Sequence, residues 1–200
     1  MTAPTEDMIP KGAFMAIEQR RMTLDEFLAL PEEEPALELE AGGMVTQKVS
    51  PKGKHSSLQR GLLKLFDGFA EPRRIALALP ELRTVFGGAA YVPDVSVYRW
   101  ERIAWTSDGE VPDDFTEPPD IAIEIVSPGQ NVTRLVRRCI WYVEHGVTLA
   151  LLIDPTDRSV LRFGRASTPR ALHEPDRIDL SEVLPDFQAT VERLFAALKG

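Results

Sequence analysis

Residues 121–155 read IAIEIVSPGQNVTRLVRRCIWYVEHGVTLALLIDP and contain the clearest folding unit of the chain. The apolar run from Ile121 to Val126 predicts a buried strand, which Ser127-Pro128-Gly129 ends. Helical spacing of apolar side chains predicts a helix from Val132 to His145, and residues 148–153 predict a second buried strand. A strand, a helix and a strand in direct succession indicate a right-handed βαβ unit, whose helix covers one face of a sheet.

The segments on either side of this unit predict further helices and strands. Thr23 and Glu26 have the spacing of a capping box, which predicts a helix that ends before Pro31. Apolar residues at helical spacing predict an amphipathic helix over residues 55–69, and residues 190–198 predict a closing helix. Short β-prone runs predict strands in residues 36–47, which turn at Gly42-Gly43, and in residues 75–79, 82–86, 91–98, 160–163 and 171–178.

This order of elements predicts an α/β (α+β) domain with a mixed central sheet flanked by helices. The domain is expected to extend over residues 22–200, since neither a repeat nor an internal boundary interrupts the pattern. Residues 1–21 mix proline with charged residues and are predicted to form a loosely ordered N-terminal arm.

The composition of the chain limits the classes of protein and the kinds of metal site that are expected. The chain has 200 residues, of which 44% are hydrophobic and 27% charged, as expected for a soluble globular protein. No apolar stretch approaches the roughly 18–20 residues needed to cross a bilayer, and residues 1–21 lack the apolar core of a secretory signal. We therefore expect a cytoplasmic protein. The single Cys139 and three scattered histidines exclude a multi-cysteine zinc site and an HExxH pair, so any metal is expected to take oxygen ligands.

Charge is distributed unevenly along the chain. The formal net charge of −8 argues against binding nucleic acid by bulk attraction. Residues 52–74 nevertheless carry six basic and two acidic side chains, whereas residues 101–124 carry eight carboxylates and one arginine. Each segment taken alone is typical of an ordinary solvated face.

Two predicted strands each carry one acid on an otherwise apolar face. Side chains alternate between the two faces of a strand, so Asp94 and Val95 point to opposite faces. In the same way, Glu124 points to the face opposite to that of the neighbouring isoleucines. A buried carboxylate needs a cation, a metal ion or strong hydrogen-bond donors, and a structural salt bridge is the alternative to a functional site. If the strands are neighbours, the two charges repel by roughly 4 kcal/mol at 4 Å, and a divalent cation would relieve that repulsion.

The predicted helix after the second acid supplies a cation. At 100° per residue, Arg138 falls at the border of the buried arc beside Tyr142, from which it can reach the edge of the sheet. An arginine at such a border can also simply extend its stem over apolar surface. The buried arc itself is predicted to contain Val132, Leu135, Val136, Cys139, Ile140 and Val143.

Several of these pieces together resemble the PD-(D/E)XK nuclease superfamily, and more narrowly the Uma family of restriction-endonuclease-like proteins, from about Met22 to Leu198. The pieces that carry the resemblance are Pro93-Asp94, Pro118 to Pro128 with Glu124-Ile125-Val126, Leu37 to Gly42, Ser50-Pro51 followed by His55, and Tyr142 to Val147 leading into Leu152 to Pro155. No single piece is specific, but their order and spacing together are.

The resemblance implies a DNA endonuclease that hydrolyses phosphodiester bonds with Mg²⁺ or Mn²⁺. Asp94 and Glu124 would hold the ion, and Glu38 would add a third acid. The bound ion would activate water and neutralise charge that builds up on the phosphate. His55 would support the metal site or position a phosphate, unless it caps its helix, and Tyr142 is a further supporting candidate. A homodimer is expected because two related sites can cut both strands of a duplex.

The chain departs from the family pattern at one position. Where the resemblance implies a catalytic lysine, four residues before Tyr142, the sequence has Arg138. Arginine keeps its charge and can clamp a phosphate, but it does not accept a proton from water.

This departure supports a second hypothesis, in which the chain is a catalytically impaired nuclease fold that binds nucleic acid or protein. A third hypothesis takes Asp94 and Glu124 as the acid and base of a glycoside hydrolase. The neighbouring arginines suit a phosphate better than a neutral sugar, and metal-independent activity would favour the third hypothesis.

Overall fold

The structure, a computed structural model, describes residues 21–165 and 167–199. Its helices are α1 (Leu24–Leu28), α2 (Gly53–Asp67), α3 (Val132–Glu144) and α4 (Val191–Phe195). Its strands are β1 (Leu37–Leu39), β2 (Val45–Gln47), β3 (Ala76–Pro80), β4 (Thr84–Phe86), β5 (Ala89–Tyr91), β6 (Val95–Arg99), β7 (Ile121–Ile125), β8 (Leu149–Asp154), β9 (Ser159–Gly164), β10 (Ser167–Leu172), β11 (Arg177–Ile178) and β12 (Ala189–Thr190).

A six-stranded mixed sheet forms the centre of the fold. Its strand order is β10-β9-β8-β7-β6-β3, in which β7 and β8 are parallel and the other neighbours are antiparallel. Helix α3 connects the two parallel strands, so the predicted βαβ unit and the predicted mixed sheet flanked by helices are confirmed. A smaller antiparallel sheet with the order β2-β1-β5-β4 contributes the strand that carries Glu38.

The two faces of the central sheet pack against different layers. Ile121, Ile123 and Ile125 point into a core that α2 and α4 cover, whereas Ala122 and Val126 point into a second core beneath α3. Alternation along β7 thus places Glu124 on the α3 face, as the sequence predicts. Both faces of the strand are buried, as is usual where a parallel pair carries its crossover helix.

Helix α3 is rotated relative to the predicted arc. Val132 and Ile140, which the arc included, are exposed, whereas Arg138 and Tyr142 lie in the buried face. The polar ends of Arg138 and Tyr142 meet carboxylates at the sheet, and this compensates for burying them. The helix ends at Glu144, and Gly146 follows with φ of +114°, a left-handed conformation that glycine adopts without strain.

The predicted strand over residues 91–98 is two strands in the structure. β5 ends at Tyr91 and joins the small sheet, and β6 begins at Val95 in the central sheet. The intervening residues 92–94 pass from one sheet to the other, and Pro93, which has no N–H to donate to a ladder, lies at this point. Asp94 therefore stands at the junction of the two sheets.

The strand predicted over residues 171–178 is wrong: β10 ends at Leu172, and β11 pairs with β12 in a separate two-stranded sheet. A turn separates them, in which the N–H of Asp176 donates to the carbonyl of His173.

The other boundaries agree with the sequence within a few residues. The capping box of Thr23 and Glu26 is formed at the start of α1, and the strands predicted in residues 36–47 pair as β1 and β2. The arm predicted over residues 1–21 lies outside the described residues except for Arg21, which pairs with Met44. Among the described helices, none is long and apolar enough to span a membrane.

Candidate active site

Asp94 and Glu124 lie opposite each other, Glu124 on β7 and Asp94 directly before the neighbouring strand β6. β6 pairs with β7 in an antiparallel register that joins Val95 to Ile123, and this register places Asp94 across from Glu124. Both carboxylates are buried, with 2% and 3% of their surfaces exposed. Oδ2 of Asp94 accepts a hydrogen bond from the backbone N–H of Ile125 at 2.6 Å. The two strand acids of the sequence analysis thus share one end of a strand pair.

Burial raises the pKa of Glu124 to about 7; Asp94 also raises it, whereas Arg138 acts in the opposite direction. Oε1 of Glu124 accepts a hydrogen bond from the Tyr142 hydroxyl at 2.7 Å and lies 3.5 Å from the Arg138 guanidinium. Glu124 is therefore a carboxyl group that is protonated near neutral pH unless another positive charge comes near it.

This pKa predicts a pH dependence of the stability of the metal-free protein. Glu124 ordinarily releases its proton near pH 4.5, whereas in the folded chain it holds the proton to about pH 7. Its contribution to the free energy of unfolding is thus fully present below about pH 4.5 and is lost as the pH rises to about 7. In chelator, we expect the melting temperature of the wild type minus that of Glu124→Gln to fall from pH 5 to pH 7 and then level off. Parallel melting curves across that range would contradict the assignment.

Glu38 and Arg138 form a buried ion pair beside Glu124. The Arg138 guanidinium donates to both oxygens of Glu38, at 2.6 and 3.0 Å, and lies over the ring of Tyr91 with its central carbon 4.7 Å from the ring centroid. Oε1 of Glu38 also accepts a hydrogen bond from the N–H of Val92. Two-pronged pairing of this kind fixes both side chains in one orientation. The prediction that Glu38 binds metal stays a prediction, and here its carboxylate binds Arg138.

Lys48, which the sequence analysis did not single out, contacts the other side of the acid pair. Its ammonium donates to Oδ1 of Asp94 at 2.7 Å, to Oε2 of Glu81 at 2.8 Å and to the carbonyl of Val92 at 2.8 Å. Burial alone would lower the pKa of Lys48, but Asp94, Glu124 and Glu81 raise it above its usual value. Lys48 is therefore a charged, buried lysine with all three of its donors used.

A signal for Lys48 does exist in the sequence. The predicted hairpin of residues 36–47 pairs Glu38 with Thr46, so the residue two positions after Thr46 lies on the same face as Glu38. Gln59 could be found in the same way, because it follows His55 by four residues on a predicted helix. Neither residue is among the pieces of sequence that carry the family resemblance; strand alternation points to Lys48, and helical spacing points to Gln59.

His55 packs beneath Asp94. Its Nδ1 lies 3.0 Å from the Ser127 hydroxyl, and its Nε2 lies 3.3 Å from Oδ1 of Asp94. Within the part of the chain that the structure describes, Nε2 has no hydrogen-bond partner of good geometry although it is buried. Burial raises the pKa of Asp94, but the contacts with His55 and Lys48 outweigh it and hold that pKa below its usual value.

Glu81 completes this side of the cluster from a strained position. Its φ of +48° lies in the left-handed region, which non-glycine residues seldom adopt. Gln59 donates to Oε1 of Glu81 at 2.9 Å and to the carbonyl of Asp94 at 2.8 Å, so one amide joins both residues. Strain that the surrounding contacts maintain is common at functional sites.

Five of the six site residues named from the sequence line one cavity, together with Lys48. This cavity has a volume of about 310 Å³ and is lined by polar groups that include Glu38, Lys48, His55, Asp94, Glu124 and Arg138. Tyr142 lies behind Glu124 and is fully buried. A larger groove of about 890 Å³, here called the acidic groove, adjoins it at Lys48 and is lined by Glu32, Glu33, Glu34, Glu81, Asp113 and Asp114 among others.

The donor set of the cavity fits a divalent cation. Four carboxylates of the described cluster, those of Glu38, Glu81, Asp94 and Glu124, face two cations, Lys48 and Arg138. With every acid ionised the cluster carries two negative charges in excess, which one divalent ion would neutralise. His55, Glu81 and Asp94 each offer a ligand atom, and these three atoms lie within 4.8 Å of one another. The buried Nε2 of His55, without a partner of its own, is suited to a cation at the same place.

Comparison with known proteins identifies a family and a similar solved structure. A family model described as "Uma2: Putative restriction endonuclease" matches residues 24–192. Among solved structures, the chain is similar to a protein described as "a putative nuclease belonging to DUF820" from Anabaena variabilis. The two are 36% identical, with a TM-score of 0.84 over 88% of this chain and 99% of the other. No curated protein matches the chain.

Proposed function

This chain belongs to the Uma2 family, and we propose that it is an endonuclease that hydrolyses phosphodiester bonds in DNA with the help of Mg²⁺ or Mn²⁺. The observation that carries the proposal is the pairing of Asp94 with Glu124 across two strands, at a cavity that Glu38 and the imidazole of His55 also line. Family membership and the similarity to the Anabaena nuclease support the same class of reaction.

In this proposal Asp94 and Glu124 hold the ion, with the free nitrogen of His55 directed at the same place. Oxygen ligands at two carboxylates with a few waters are what Mg²⁺ prefers, and Mn²⁺ accepts the additional nitrogen. When bound, a divalent ion would lower the pKa of an attacking water and would neutralise charge on the phosphate.

The residues of the chain keep these ligands in position. The N–H of Ile125 fixes one oxygen of Asp94, and the Tyr142 hydroxyl fixes one oxygen of Glu124. Arg138 holds Glu38 and lies near the same oxygen of Glu124, so its charge opposes the protonation that burial favours. A site that is organised before the substrate arrives loses little free energy to reorganisation in the transition state.

Arg138 stands where the family resemblance implies a lysine. This substitution favours the second hypothesis of the sequence analysis, a nuclease fold that binds without cutting. Lys48 bears on this choice, because a lysine does contact the acid pair from another strand. The presence of that cation favours the active enzyme. A homodimer remains part of the proposal, since a duplex offers two strands to related sites.

The test is cleavage of supercoiled plasmid by the purified protein. In Mg²⁺ or Mn²⁺ we expect nicked and linear products to accumulate with time, and none in the presence of excess chelator. Asp94→Asn removes a charge but little volume, and we expect it to slow cleavage by about 10²–10³-fold. Asp108→Asn makes the same change on the exposed loop and serves as the matched control, with cleavage at the wild-type rate.

Cleavage that persists in chelator, or that is equal in Asp94→Asn and the wild type, would refute the metal site. Folded protein that cuts neither supercoiled nor single-stranded DNA with either metal would favour the binding module instead. In that case retardation of labelled DNA in a gel should be the same for the wild type and Asp94→Asn.

A further inference from the structure

We propose that Lys48 is the cationic catalytic residue of this enzyme, and that its ammonium contacts the phosphate that is cleaved. It would thus fill the role that the family resemblance assigns to the position of Arg138. The inference rests on the proposed function and adds to it a residue that lies outside the pieces of sequence on which the family resemblance was based.

Lys48 and Arg138 are both largely buried and hydrogen-bonded, so the two cations differ in what holds them: Lys48 binds Asp94, the proposed ligand of the ion, whereas Arg138 is held by Glu38. Two nitrogens of Arg138 bind Glu38, a third contact reaches Glu124, and the aromatic ring of Tyr91 covers one face. Only 9% of the residue is exposed. To meet a phosphate, Arg138 would have to leave the buried carboxylate of Glu38 without its cation, which is costly. We therefore regard Arg138 as a positioning residue for Glu38 and Glu124.

Lys48 lies where the site cavity opens into the neighbouring groove. It lines both the site cavity and the acidic groove, so its ammonium lies at the junction between them. Its stem has four flexible carbons, whereas the guanidinium of Arg138 is held by a planar two-pronged contact. A lysine at this junction can turn from one set of oxygens to another without displacing its backbone.

The partners of Lys48 show what would release it. In the metal-free cluster Lys48 neutralises Asp94, which the proposed function assigns to the divalent ion. Once Asp94 shares its charge with such an ion, its attraction for the ammonium weakens. A phosphate held beside that ion brings new negative oxygens within reach of Lys48. The ammonium then stabilises charge on the phosphoryl oxygens as water attacks the phosphorus and the bond to one ester oxygen breaks, giving a phosphomonoester and an alcohol.

This arrangement predicts opposite effects on metal binding and on cleavage. Lys48→Met removes a competitor for Asp94, so we expect Mn²⁺, titrated by its paramagnetic resonance signal, to bind about tenfold more tightly. The same variant loses the contact to phosphate, so plasmid cleavage at saturating Mn²⁺ should slow by about 100-fold. Lys48→Arg keeps the charge and should recover part of the rate. Lys64→Met removes an exposed lysine of the α2 helix and should match the wild type in both measurements.

The outcomes separate this inference from the proposed function. If the wild type cuts and Lys48→Met cuts within about threefold of it, the nuclease stands and the assignment of Lys48 is wrong. If Lys48→Met loses both metal binding and cleavage, its role is structural and the assignment is again wrong. If the wild type does not cut at all, the proposed function fails, and this inference fails with it. Tighter Mn²⁺ binding combined with slower cleavage is the result that supports Lys48.

Discussion

Arg138→Ala is expected to lower the free energy of unfolding by about 3–5 kcal/mol, because it leaves buried carboxylates without their cation. Glu38 would lose both hydrogen bonds of its two-pronged contact, and Glu124 would lose the positive charge that opposes the rise of its pKa. Urea unfolding of the metal-free protein, followed by circular dichroism at pH 8, measures the loss. The pH is set above the pKa of Glu124 so that both acids are charged.

A double variant distinguishes the stability lost by leaving one buried charge unpaired from the stability that the ion pair itself contributes. Glu38→Met combined with Arg138→Met removes both charges and keeps apolar volume, so most of the loss should be recovered. The single Arg138→Ala variant should then be the less stable of the two. If the single variant unfolds within about 1 kcal/mol of the wild type, Arg138 does not hold the site together.

Phe195→Ala is expected to lower the free energy of unfolding by about 3–5 kcal/mol, because it removes packing from the core. Phe195 is fully buried in the core that α4 shares with α2 and with the isoleucines of β7. This core is on the face of the central sheet opposite to Glu124, so the variant removes stability without touching the acids. Thermal and urea unfolding measure the change.

The same Phe195→Ala variant tests whether the site depends on the global stability of the chain. At a temperature where it is still folded, its affinity for Mn²⁺ should equal that of the wild type. Ile140→Ala is the matched control, since Ile140 lies exposed on α3 and should change stability by less than about 0.5 kcal/mol. A weaker metal site in folded Phe195→Ala would mean that the two faces of the sheet are coupled.

Much of the central fold could be predicted from local pattern. The strand, helix and strand of residues 121–154 follow from runs of apolar residues with clear breaks, and the structure differs at their ends by only a residue or two. The split of the predicted strand at residues 92–94 could not be predicted, because one extended segment can pair in one sheet or pass between two. That choice depends on partners that are distant in the chain.

The site was predictable where it lies on regular elements. Asp94 and Glu124 were found because a carboxylate in an apolar strand is costly, and Arg138 because it follows a helical period. The rotation of α3 was missed because the apolar pattern assigns Arg138 and Tyr142 to the border, whereas their polar contacts bring them inside. Lys48 was missed for the opposite reason, since a lysine after a short strand looks like any exposed lysine until the small sheet is folded.

The register of β6 against β7 also bears on how related chains are to be aligned. The two acids face each other because Val95 pairs with Ile123, and nothing in that pairing depends on how many residues separate them along the chain. The connecting segment includes an exposed turn around Gly109, which can change length freely, whereas one extra residue inside either strand would turn a carboxylate toward the isoleucine core. Divergent relatives should therefore be recognised by which strand positions face one another, and the number of residues between the acids should be left free to vary.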